Sequence, residues 1–412
     1  MAMVMAMVLP PEILNCIINF YPGLYLIFHI IFPEIYPRYS LDKLFKFFCW
    51  AGENGNKKLC YFIKNKWKCS GLKHMLYGAA RGGHKEICCL VKKWIDQLYP
   101  LTTKDLDDEE NDELSYERFI VSEIYNYMVY GAAQKGNEEL CYLGRKWGAN
   151  LFYLMMKAAA KDGHENLCRL ARKWQEQEKK EGKWKLINLD HSDEMLRSAA
   201  RYGHTNLCYL AIDWGAKDYN GMLSKAARGN HEELCRLAKD LGATDFNKMV
   251  RYAAKGGHIR LCRLAKEWGA TNFNWMLYYV AKRGDKDLCS LAKEWGADNF
   301  DWMLRGAALG RYEDICYLAK EWGATDFDEM LYCAARIGNQ HLCYLAKEWG
   351  AEDFDGMLYG SCYGGHEHLC YLAKNWGATD FDKMLEIAIT KEYDHLINLA
   401  EEWGAKQLQY IY

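Results

Sequence analysis

"DEMLYCAARIGNQHLCYLAKEWGA" (residues 328–351) is the stretch on which the fold is decided, because its second half recurs down the chain. "LCRLAKEWGA" begins at Leu261, "LCSLAKEWGA" at Leu288, "ICYLAKEWGA" at Ile315 and "LCYLAKNWGA" at Leu369. Within 328–351, Met330, Leu331, Ala334 and Ala335 make an apolar stripe at helical spacing, and paired alanines allow close helix approach. Gly338 is placed to end this helix, A, in the left-handed conformation that a side chain disfavours. Helix B follows with Leu342, Leu345, Ala346 and Trp349 at i, i+3, i+4 and i+7, and Gly350 stops it. Asp328 is expected to be the N-cap of helix A, its carboxylate accepting the free amides of the first turn. Asp193, Asn220, Asn247, Asn274, Asp301, Asp355 and Asp382 occupy the same place in other copies. Each copy is therefore a helix–turn–helix whose apolar sides only its neighbours can cover.

The copies keep a period of 27 residues, from Cys208 to Cys370, from Met195 to Met384 and from Trp214 to Trp403, with Leu241 filling one tryptophan position. A fixed period of this size signals a solenoid. Met75/Cys88/Trp94, Met128/Cys141/Trp147 and Met155/Cys168/Trp174 have the same internal spacing. Two insertions break the step there, Ile95–Phe119 with its acidic "KDLDDEENDE" and residues 175–187, and both are expected as loops. A degenerate first copy has Phe47 and Cys60 in register and Trp67 one residue late. The spacing predicts an all-α array of about twelve repeats over residues 41–405, preceded by a small helical module (1–40) and followed by a short tail (406–412).

Composition agrees with this reading. Half of the 412 residues are hydrophobic and 26% are charged, which suits a large buried core and not a disordered chain. The formal net charge of -2 argues against a nucleic-acid partner, since such proteins concentrate positive charge. An odd number of cysteines, 17, cannot all pair internally, and free thiols in such number fit a reducing, intracellular, cytoplasmic setting. All six prolines lie at or before Pro100, so nothing later interrupts a run of helices.

Several ladders carry chemistry-bearing residues. Helices of adjacent repeats pack about 8–10 Å apart, beyond the roughly 4.4–6.8 Å Cα separation of a disulfide, and a metal site needs still closer convergence. The cysteines are thus read as small buried side chains, and the tryptophans as packing. No cofactor or metal is expected, and no P-loop, paired-carboxylate site or nucleophile motif stands out. His84, His164, His204, His258 and His366 follow a glycine at the interhelical turn and are read as turn hydrogen bonders. A basic residue six after the methionine (Arg81, Lys161, Arg201, Arg228, Lys255, Lys282, Arg336) is either a stripe for an acidic partner or nucleic acid or, the favoured reading, a cation suited to the helix C-terminal dipole; Gln134, Leu309 and Tyr363 interrupt it. The positions two and three after the methionine vary. They carry Arg197, Arg251, Tyr252, Tyr278, Tyr279, Arg305, Tyr332 and Tyr359, residue types enriched at interface hot spots, and are the candidate partner-binding face.

The repeat resembles the ankyrin family. "LYCAARIGNQHLCYLAKEWGA" (331–351) matches the ankyrin order of Leu-x-x-Ala-Ala-x-x-Gly, a second apolar helix and Gly-Ala, and "AARYGH" (199–204) and "AAKGGH" (253–258) carry its Gly-His turn. Here the unit is shorter than the family's usual 33 residues, with only "TDFD"-like linkers where β-hairpin fingers would project, and Trp replaces the small residue before Gly-Ala. The resemblance implies a non-enzymatic, protein-binding solenoid.

"VLPPEILNCIINF" (8–20) resembles the start of an F-box, in Leu9, Pro10, Glu12, Ile13, Leu14, Ile17 and Ile18. That resemblance implies docking on a Skp1-like adaptor of a cullin ubiquitin ligase through Leu9, Pro10, Ile13, Leu14, Ile17 and Ile18, with the repeats recruiting substrate. Physically, Pro10–Pro11 can open a helix whose apolar stripe meets a partner. Two other readings stay open: a cap shielding the first repeat, or a membrane segment over the apolar residues 13–32, interrupted by Asn15, Asn19, Pro22, Gly23 and His29. Such arrays behind an F-box-like start resemble proteins of large DNA viruses, which implies a host-directed adaptor acting in the host cell.

Overall fold

A computed structural model describes residues 41–67, 71–100, 112–181, 191–391 and 393–406. Among them the chain is all-α, with 24 helices arranged as A–B pairs. The pairs fall into two compact bodies divided between Asp218 and Tyr219. The first holds five pairs, from Leu41–Glu53 to Thr205–Asp213, and the second seven, from Tyr219–Gly229 to Asp394–Glu402. Within each body helix A packs on its own helix B and on helix A of the next repeat, the contacts of a helical-pair solenoid. Each repeat is named below by its methionine.

Residue choice explains the packing. In the Met330 repeat Met330, Leu331, Ala334, Ala335, Leu342, Cys343 and Ala346 are buried, and the equivalent side chains are buried in repeat after repeat. Each fully buried Met or Leu contributes on the order of 1.5–3 kcal/mol. Successive A helices touch through small residues: a Cβ added at Gly360 would stand 2.5 Å from the Tyr332 carbonyl oxygen of the previous repeat. Gly338 and Gly350 adopt φ of 72° and 110°, the left-handed turns expected at the ends of helices A and B.

The cap of helix A differs from the expectation. Helix A of the Met330 repeat starts at Phe327, and Asp326 is its N-cap, accepting the Glu329 amide at 3.0 Å. Asp328 sits inside the first turn, and its carboxylate reaches forward to the next linker. There it accepts the amides of Glu352 and Asp353 at 2.7 and 2.9 Å. Those linker amides have no helical partner, so a short acceptor one repeat earlier satisfies them. Asn220, Asn247, Asn274, Asp301 and Asp355 brace the following linker the same way, as does Asn126 in the first body.

The histidines also bridge repeats. His84, His204 and His258 place Nε2 at 2.9, 3.0 and 3.2 Å from the carbonyl oxygens of Glu53, Lys161 and Arg228, at the end of the preceding helix A. The turn hydrogen bonding read from the sequence is thus a bond between neighbouring repeats.

The insertions are not simply loops. Residues 95–98 prolong helix Lys85–Leu98, residues 112–119 belong to helix Asp112–Gln134, and residues 175–180 prolong helix Glu165–Lys180. Strong helix formers such as "QEQEKK" continue the helix past the tryptophan, aided by the Arg172–Glu176 pair at 3.0 Å. The rest of both insertions lies outside the described residues, as do Leu9, Pro10, Ile13, Leu14, Ile17, Ile18 and the apolar run 13–32. No helix among the described residues is long and apolar enough to cross a membrane.

Candidate protein-binding surface

The cysteine ladder is buried in the interior of each repeat. Cys141, Cys168, Cys235 and Cys262 are fully buried, and each thiol donates to the carbonyl oxygen of the residue after the repeat's methionine, at 3.7–3.9 Å. Burial pushes the Cys262 thiol up to about 12, and Cys316 likewise, with Glu313 and Asp314 adding to the effect. These are weak donors in apolar surroundings, poor nucleophiles and poor ligands.

The tryptophans are less internal than the sequence suggested. Trp94 and Trp174 are buried, whereas Trp268, Trp295, Trp322, Trp349, Trp376 and Trp403 are half-buried along the helix-B edge. Trp349 meets Tyr317 and Phe327 edge-on at 5.1 and 5.5 Å, and the Lys320 ammonium lies 4.4 Å from its ring centre. Lys347 and Lys374 sit 4.2 Å from Trp376 and Trp403 in the same way. The indole at the end of helix B thus packs against rings of its own and the preceding repeat and is covered by a lysine stem. The helix-B edge thereby covers its indoles with its own lysines, while Tyr317, Tyr344 and Tyr371 on the same edge stay exposed.

The helix-A face is different. Positions two and three after the methionine flank the buried stripe, and the candidate residues there are half-buried, apart from the more exposed Arg305. Some are committed to neighbours. Arg197 pairs with Glu194 at 2.6 Å and Asp218 at 2.5 Å. Arg305 pairs with Glu329 at 2.9 Å, and the Tyr359 hydroxyl donates to the Asp380 carboxylate. Burial first, then the Asp380 bond, pushes the Tyr359 phenol up. Tyr332 stands apart from these, raised mainly by burial.

Others converge. Tyr278 and Tyr279 lie 6.0 Å from Trp275, Tyr279 stacked on it, and Trp302 is 4.6 Å from the same ring. The Arg251 guanidinium stands 3.7 Å from the centre of the Trp275 ring. Lys225 lies 5.2 Å from the Tyr252 ring and Lys255 5.9 Å from that of Tyr279. Beside them a surface recess of about 290 Å³ is lined by Asp245, Asn247, Lys248, Arg251, Asn272 and Trp275. A cluster of aromatic rings and cations at a recess is the composition of an interface hot spot.

Trp275 and Trp302 belong to none of the 27-residue cysteine, methionine and tryptophan ladders. The available signal was that both fall outside the 27-residue tryptophan register and immediately precede Met276 and Met303. Among the described residues no group of three or more His, Cys, Asp or Glu side chains is placed to hold a metal ion. No protein-family model matches the sequence, and comparison with curated proteins finds no match. What the geometry itself defines is a helical-pair repeat protein with an aromatic and cationic helix-A face in its second body.

Proposed function

We propose that the chain is a non-enzymatic protein–protein interaction scaffold, ankyrin-like in kind, whose helix-A face captures a partner protein. The observation that carries this reading is the cluster of Arg251, Trp275, Tyr278, Tyr279 and Trp302. Rings and a guanidinium are held there in mutual contact yet remain part-exposed, and among the described residues the array has no other such meeting of two indoles with a guanidinium. The helix-B edge instead covers its indoles with its own lysines and leaves single tyrosines exposed. Preformed aromatic anchors lose little conformational entropy on binding. In this proposal residues 8–40 couple the captured protein to a Skp1-like adaptor of a ubiquitin ligase, acting in the cytoplasm of a host cell. The F-box-like opening at Leu9–Ile18 supports that coupling; its apolar stripe equally suits a cap or, over residues 13–32, a membrane anchor.

Affinity capture with the full chain tests both ends. Tyr278→Ala with Tyr279→Ala is expected to lose the captured protein and keep the adaptor. Leu14→Glu with Ile17→Glu is expected to lose the adaptor and keep the captured protein. Unchanged capture by the first variant would remove the helix-A reading, and an adaptor that never binds the wild type would remove the coupling.

A further inference from the structure

In two repeats, a helix-A cation two residues after the methionine finds a carboxylate just before the next methionine. Lys157 pairs with Glu194 at 2.7 Å and Arg305 with Glu329 at 2.9 Å. Arg251 occupies the same place, but the residue facing it is Trp275. An indole takes the face of the guanidinium and leaves its in-plane N–H donors unclaimed, ready for a two-pronged bond to a carboxylate.

The surroundings extend this condition. Helices Tyr219–Gly229, Phe246–Gly256 and Asn274–Ala281, with Lys282 just beyond, carry Lys225, Arg228, Lys248, Arg251, Lys255 and Lys282 and no acidic residue. The ion pairs of residues 219–293 involve Arg236, Arg260 and Lys286, all on B helices. The recess beside Arg251 has one carboxylate, Asp245, which is engaged by the Lys248 amide at 2.9 Å. Residues 219–293 hold 14 Lys and Arg against 7 Asp and Glu, whereas residues 294–406 hold 9 against 21.

Resting on the scaffold reading, we propose that the helix-A surface of residues 219–282 docks an acidic peptide segment of the partner protein. Carboxylates meet Arg251, Lys248 and Lys255, and an apolar side chain lies against Trp275 and Tyr279. Three A helices at about 8–10 Å spacing span about 20 Å, the length of about six extended residues. A peptide fits better than a nucleic acid: a phosphate chain continuing past residue 293 meets the acidic surplus there, whereas a short acidic segment ends before it.

The test uses the full chain and a fluorescein-labelled peptide of about eight residues alternating glutamate with leucine and phenylalanine, read by anisotropy. A glutamine-for-glutamate version and an oligothymidylate of matching length serve as comparisons. The acidic peptide is expected to bind best, more weakly as salt rises. Affinity should fall about tenfold or more in Lys248→Gln/Arg251→Gln/Lys255→Gln. Trp275→Glu restores the carboxylate used by other repeats, and by re-pairing Arg251 it should weaken the peptide to a similar degree. Equal affinity for the glutamine peptide, tighter binding of the oligothymidylate, or unchanged affinity in both variants would overturn the proposal. If the peptide fails while Tyr278→Ala/Tyr279→Ala still abolishes protein capture, the acidic partner is wrong and the scaffold reading stands. If capture survives that variant too, both fall.

Discussion

Asp328 joins two repeats through one carboxylate, accepting two linker amides of its successor. Its removal leaves those amides to water and loosens the seam. Asp328→Ala is expected to lower stability by about 1–2 kcal/mol in urea unfolding, while Asp328→Asn stays within about 0.5 kcal/mol, because Asn247 does the same work elsewhere. Equal losses for the two would remove the bracing role. Asp326 and Asp328 are both short acceptors at the start of one helix, and local pattern favours either as the cap. The partners of Asp328 lie 24 and 25 residues downstream, a distance at which only the fold reports the bond. Glu194 gives the titration counterpart in the first body. Burial pushes its carboxyl up, but hydrogen bonds from Lys157 and Arg197 outweigh this and hold it at about 2, against an ordinary 4.5. A depressed pKa stabilises the fold above the unfolded value, and that stability is lost as pH falls from about 4.5 toward about 2. Glu194→Gln should flatten the pH dependence of unfolding across that window, and a slope as steep as the wild type's would contradict the assignment.

At the scale of the element, helices were legible because their signals are local: the i, i+3, i+4, i+7 stripe, the paired alanines and the terminal glycines all lie within one repeat. What each ladder does was legible only where burial follows from that stripe. The cysteines face inward with their helix, as the reading required. The tryptophans end helix B, where some of their neighbours come from another repeat, and apart from Trp94 and Trp174 they settle half-buried against Tyr, Phe and Lys instead of in the interior. The inertness of the thiols can be measured. Cys262 and Cys316 are fully buried with their thiols pushed up to about 12, so iodoacetamide at pH 8 should leave both unmodified in the native chain and alkylate both after denaturation. Native alkylation of either, located by mass spectrometry, would place the ladder at the surface and undo the packing account.

At the scale of the whole molecule, one repeat design serves two faces. The array and its number of repeats were legible from the 27-residue period, and so were Arg251, Tyr278 and Tyr279 as members of a variable face. The site itself was not. Trp275 and Trp302 join it through contacts between repeats, and Arg197, Arg305 and Tyr359 are occupied by carboxylates that no single repeat reveals. The helix-A face offers clustered rings and unpaired cations, whereas the helix-B edge has already covered its indoles with its own lysines. The measurement that separates these faces most directly is photo-crosslinking of the full chain in the presence of its cellular partners. A photoreactive phenylalanine replaces Tyr279 on helix A in one sample and Tyr371 on helix B in another. Crosslinks to a partner protein from position 279 and none from position 371 are the predicted result. Crosslinks from 371 alone would contradict the account.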